Sequence, residues 1–117
     1  MATFTVYHAE SGEKAAANSP VGSALIMGTF NAETYAPGGV ELTAALINAG
    51  LSTFGAQMTV ASLDCMVING DEVDGTYYGE FIRSSKKVKI SATADESEAS
   101  AGALDVEFPC TIAVTLS

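Results

Sequence analysis

From Leu104 to the end of the chain, apolar and polar positions alternate. Leu104, Val106, Phe108, Cys110, Ile112, Val114 and Leu116 occupy even positions, with Asp105, Glu107, Thr111, Ala113 and Thr115 between them. Period two predicts one extended ribbon with a dry face and a wet face. Pro109 falls on the wet parity and cannot donate to a ladder. It marks an edge, a bulge or a point where the strand changes sheets.

The same reading runs along the rest of the chain. Thr3 to His8 alternates, placing Phe4, Val6 and His8 on one side. Residues 9–21 are small and polar and read as a loop. Gly22 to Phe30 holds the unbroken apolar run Ala24-Leu25-Ile26-Met27, which predicts a strand buried on both faces. Val40 to Leu42 is a brief strand. Thr43 is placed to cap one short helical turn near 43–48, which Asn48 and Gly50 are expected to stop. Gln57 to Ile68 predicts a central strand, with Ala61, Leu63, Cys65 and Val67 on one face and Met58, Val60, Met66 and Ile68 on the other. Thr76 to Arg83 is an aromatic-rich strand carrying Tyr77, Tyr78 and Phe81. Ser84-Ser85-Lys86 turns the chain into Lys87 to Ala94, where Val88, Ile90 and Ala92 point inward and Ser91 outward.

About eight strands, short connections and no sustained helical period predict an all-β domain spanning residues 1–117. Its expected form is an antiparallel β-sandwich or flattened barrel, jelly-roll-like. Residues 1–9 read either as an edge strand or as an arm that pairs with a neighbouring subunit.

Between the second and third strands lies Tyr35-Ala36-Pro37-Gly38-Gly39. Pro37 fixes its own φ and pushes Ala36 to extended geometry. Gly38 and Gly39 supply positive φ where a β-carbon would clash. Tyr35 is expected to plug this corner, ring inward, with its hydroxyl on a backbone partner.

Gly28-Thr29-Phe30, then Tyr35-x-x-Gly38-Gly39, then Leu42 and Gly50-Leu51 together form a spaced motif. So do the later Tyr77-Tyr78-x-Glu80-Phe81 strand, the lysine-flanked 84–89 segment and the closing 104–116 ribbon. Over residues 22–117 this pattern resembles small structural proteins of tailed bacteriophages, of the capsid decoration or cement kind. The chain departs from it at Pro37, where Thr is common, and in a longer 48–51 spacer. The resemblance implies a virion component on the capsid surface, made in the host cytoplasm. Its implied partner is the major capsid protein, and it implies a homo-oligomer, a trimer by preference.

Composition narrows the choices. Apolar residues make up 48% of 117 positions, enough to build a core without metals or disulfides. Charged residues are 16%, and 5 basic against 14 acidic side chains give a net charge of −9. That charge repels phosphate backbones, so no nucleic acid partner is expected. The start of the chain has no basic region ahead of a long apolar run, and no stretch reaches a membrane span, so no membrane partner is expected. Residue chemistry by itself describes a soluble, acidic, mostly β domain.

Little in the chain carries chemistry. His8 is the one histidine, without metal spacing or an evident nucleophile to serve, so no enzyme and no cofactor are expected. Cys65 and Cys110 sit in apolar runs and read as buried free thiols. Asn69, Asp71, Glu72, Asp74 and Gly75 invite a calcium reading, yet the spacing is not an EF-hand and a hairpin turn explains it better. Asp95, Glu96 and Glu98 form a second acidic cluster with less geometry. Arg83, Lys86, Lys87 and Lys89 hold four of the five cations. They read either as a charged edge that blocks stray strand pairing or as contacts with an acidic partner surface. A tail-associated receptor- or carbohydrate-binding module, stacking sugars on Tyr35, Tyr77 and Tyr78, is the alternative function.

Overall fold

A computed structural model of the chain describes residues 2–12, 22–70 and 75–117. Seven strands and one helix occur among them: β1 (Thr3–Gly12), β2 (Ser23–Tyr35), β3 (Val40–Glu41), α1 (Ala44–Phe54), β4 (Val60–Ile68), β5 (Tyr77–Ile82), β6 (Lys87–Ala92) and β7 (Gly102–Leu116). They form two antiparallel sheets, one ordered β1-β2-β7-β4 and the other β3-β6-β5. The fold is therefore the all-β sandwich that the alternating pattern predicts. The larger sheet's inner face is covered by α1, which touches β1 and β4, and by β5, which touches β4 and β7.

β7 is the axis of the larger sheet. Its even positions from Phe108 to Val114 are buried, as the alternation requires. Pairing with β2 runs the whole strand, from Gly102 opposite Tyr35 to Thr115 opposite Ser23. Pairing with β4 ends at Cys110 opposite Ile68. Pro109 sits at that limit, where its carbonyl accepts Asn69 N–H at 2.7 Å. N–H and C=O of a strand residue point to the same side, so the missing donor faces the flank where the β4 ladder stops.

β2 corrects the two-sided burial expected of it. Ala24, Ile26, Phe30 and Ala32 are buried, whereas Leu25 stands 54% exposed. The strand also continues through polar Asn31–Thr34, because β7 pairs with it as far as Tyr35.

β4 is an edge strand rather than a central one. Its ladder with β7 shifts between Val60 and Ser62 and again between Leu63 and Cys65. Each bulge inserts a residue, so the buried positions step by three: Val60, Leu63 and Met66. Cys65 is thereby turned outward and exposed, contrary to the reading from its apolar neighbours, while Cys110 is buried. A bulge between Val6 and His8 acts likewise on β1, which here takes the edge-strand position beside β2. Phe4 and Val6 face the core, but Tyr7 and His8 are both exposed.

α1 is longer than the predicted turn. Thr43 caps it by accepting Leu46 N–H at 3.2 Å, and it ends at Gly55 with φ 93°. Asn48 and Gly50 lie inside it because tertiary contacts use both. Asn48 accepts Val60 N–H at 2.8 Å and donates to Val60 O at 3.1 Å, tying the helix to the start of β4. Gly50 lets the helix rest directly on β1, where any β-carbon would overlap Phe4 O. On β6, Val88 and Ile90 point inward as expected, but Ser91 is buried too, where the 95–101 loop folds back to bridge Ser91 with Glu98.

Candidate functional site

The corner after β2 joins the two layers. Tyr35 is 1% exposed. Its hydroxyl donates to Glu98 Oε2 at 2.6 Å and accepts Ile90 N–H at 3.2 Å. Glu98 Oε2 also accepts Gly38 N–H at 2.7 Å. Gly38 and Gly39 have φ of 98° and 119°, and Gly39 N–H closes the turn onto Ala36 O at 3.1 Å. Pro37 is exposed at the tip. β3 pairs with β6 only at Val88 and Lys87. Beyond that, Ala99 N–H bonds Ile90 O, so the phenol oxygen fills the ladder position left open at Ile90 N–H. Burial, reinforced by the Glu98 bond, pushes the Tyr35 pKa up to about 12. The Tyr35 bond, with Gly38 N–H and the Lys89 charge behind it, holds the Glu98 carboxyl below its ordinary value. Glu98 is the member that sequence reading missed, since nothing in the 95–102 loop marks it as Tyr35's partner.

The four clustered cations have different surroundings. Lys86 reaches across to donate to Leu63 O at the β4 bulge. Lys87 lies opposite Glu41, and Lys89 lies opposite Glu80. Arg83 is exposed in the turn. Three of the four thus stand beside acceptors or acids of the same chain.

No group of three or more metal-ligating side chains gathers among the described residues. His8 faces Glu10, with 3.6 Å between Nε2 and Oε2 on the exposed β1 edge. Of the 69–75 loop, residues 71–74 lie outside the described residues, and Asn69 Nδ2 donates to Thr111 Oγ1 at 3.2 Å. Residues 13–21 of the expected 9–21 loop also lie outside them. A groove of about 620 Å³ runs between β1 and α1, lined by uncharged residues including Phe4, Val6, Leu46 and Phe54. It offers threonine hydroxyls but no ionisable group to orient a ligand. Tyr35 is too deeply buried to stack on a sugar, while Tyr77 and Tyr78 are half-buried on β5.

The outer face of the larger sheet has a different character. Opposite one another across its strands lie Leu25, Ala113 and Cys65, and beside them Met27, Thr111 and Val67. Leu25 and Val67 are 54% and 56% exposed. A one-sided antiparallel sheet ordinarily turns polar side chains to solvent, and here an apolar patch stands among the serine and threonine side chains.

No family model, curated protein or solved structure matches this chain. Among the described residues every buried side-chain nitrogen or oxygen has a hydrogen-bond partner, and no helix is long and apolar enough to cross a membrane.

Proposed function

We propose that the chain is a bacteriophage virion structural protein, a capsid decoration or cement protein. It binds the outer surface of the major capsid protein shell, as a homo-oligomer, through protein–protein contacts. One observation supports this reading above the others. Of the residues that carry the phage-protein pattern, Tyr35, Gly38 and Gly39 form the corner that joins the two sheets, and Phe30 and Leu42 are buried in the core. A motif occupied in bracing a slab belongs with a protein that works by adhering.

The mechanism is mechanical. The slab spans a joint between shell subunits and adds buried interface there. Binding selects the shell state whose spacing fits, and so stabilises that state by mass action. At a free concentration one hundred times Kd, the gain is about 2.7 kcal/mol per site. Arg83, exposed on its turn, is the cation best placed to meet an acidic shell surface.

The test is to mix purified protein with shells that lack it. Saturable binding and a higher shell melting temperature are expected, and Arg83→Glu weakens binding about tenfold. Absence of saturable binding, or binding without a rise in shell heat resistance, overturns the reading.

A further inference from the structure

The outer face of the β1-β2-β7-β4 sheet carries an apolar patch where water should be met. On its two central strands the outward side chains from Ser23 to Thr29 and from Pro109 to Thr115 carry no charge. Cys65 and Val67 extend the apolar rows onto β4. Charges appear only at the margins. His8 and Glu10 lie on the β1 edge, and Asp64 on β4 accepts hydroxyl bonds from Thr115 at 2.6 Å and from Ser62 at 3.4 Å. Asp105 and Glu107 begin beyond Pro109, toward the other end of the sheet.

Five acids lie away from this face. Glu41 and Glu80 belong to the smaller sheet, and Asp95, Glu96 and Glu98 to the loop that folds along β6. Two copies, each of net charge −9, repel at most approaches. Stacked through this face, they keep those five acids on the two outsides of the pair and leave Glu10 and Asp64 at the rim of the contact.

The area is sufficient. Four strands about 4.8 Å apart, over nine residues rising about 3.3 Å each, make a rectangle of about 19 by 30 Å. That is about 600 Å² a side and about 1,200 Å² in total, the lower bound for a standard stable interface. Two sheets packed face to face at about 10 Å are an ordinary β-sandwich contact.

We propose that this face pairs with the same face of a second copy, giving a two-fold dimer stacked sheet against sheet. Leu25 and Val67 are its main anchors, Met27, Cys65 and Ala113 fill between them, and the interface is isologous. Pairing is a property of the chain itself and does not rest on the shell reading.

The test is sedimentation and light scattering of the whole protein over a concentration series. A dimer with Kd on the order of 1–10 µM is expected, tightening as salt screens the repulsion. Leu25→Glu with Val67→Glu raises Kd at least about a hundredfold, while circular dichroism and melting at low concentration stay near the parent's. Alkylation of Cys65 in the unaltered protein supplies a readout that needs no variant. Its rate falls to about half at a concentration equal to Kd and about tenfold by roughly fifty times Kd. A monomer at all concentrations, a trimer, a dimer untouched by the glutamate pair, or a concentration-independent Cys65 rate overturns the pairing. A dimer that ignores empty shells overturns only the shell reading, and a monomer that coats them overturns only the pairing.

Discussion

Tyr35 and Glu98 stand 63 positions apart in the chain, and their side chains meet at 2.6 Å. The same carboxylate oxygen takes Gly38 N–H, so one acid fastens both the tyrosine and the glycine turn behind it. Tyr35→Phe keeps the ring but removes a donor from Glu98 and an acceptor from Ile90 N–H. A stability loss of about 1–3 kcal/mol is expected from urea unfolding. Glu98→Gln lowers the midpoint as well. The double variant falls short of the sum, because both changes break one network.

This contact also makes stability depend on pH. Tyr35 loses its proton at about 12 in the fold, against an ordinary value of 10.0. Above pH 10 the unfolded chain releases that proton first, so stability falls from pH 10 and continues to fall until about 12. Glu98 is shifted the other way, below 4.5. Its contribution is intact above 4.5 and is lost as acid carries the pH down through the folded value. Melting temperature against pH should show both declines. Tyr35→Phe reduces the alkaline one, to which the buried Cys110 thiol also contributes, and Glu98→Gln shrinks the acid one.

The two thiols separate by burial. Desolvation pushes Cys110 up to about 12, and its side chain is enclosed. Cys65 is exposed. A thiol-specific reagent applied to the folded protein at low concentration should titrate Cys65 alone. The second thiol reacts only at the rate of unfolding. A slow Cys65 would contradict the bulged path of β4, and a fast Cys110 would contradict its burial on the inner face of β7.

Gly50→Ala is expected to destabilise, although alanine is the better helix former by about 1 kcal/mol. The new methyl would overlap Phe4 O, and backbone cannot move aside cheaply. Overpacking of this kind costs about 1–3 kcal/mol, so the net change in urea unfolding is a loss. A gain would mean that α1 does not lie against β1 as described.

Lys86→Met leaves Leu63 O without its donor and uncovers the bulged edge of β4. The equilibrium loss is modest, about 0.5–1.5 kcal/mol. The larger effect is on behaviour at high concentration, where an uncovered strand edge invites pairing with other chains. Light scattering at elevated temperature should rise earlier than for the parent protein.

Period-two burial was legible wherever a strand ran without interruption. The odd-even rule found the inward face of β7 and placed Val88 and Ile90 of β6 correctly. It failed at bulges, since an inserted residue shifts parity without leaving a mark in hydropathy. Hence Val60, Leu63 and Met66 share a face, and His8 does not join Phe4 and Val6. Asn48 and Gly50 have the local chemistry of helix stops, and only their contacts with Val60 and Phe4 explain why the helix runs through them. Glu98 escaped for a related reason: a bond between residues so distant in sequence leaves no local signature. The outer face was partly visible in the run Ala24 to Met27. It read as two-sided burial because a sequence does not say which apolar residues are left uncovered.

Pro109 divides β7 into two stretches of equal length but unequal support. Toward Leu116 the ribbon is gripped by a neighbour on each flank; toward Gly102 only β2 holds it. Thermal loosening therefore begins at the Gly102 end, and the Leu116 half is the last to let go. A tug applied at the chain's tail meets the doubly held half first, whereas a tug on the acidic loop peels the singly held half rung by rung. For a plate under strain along one edge, the direction of loading matters as much as its size.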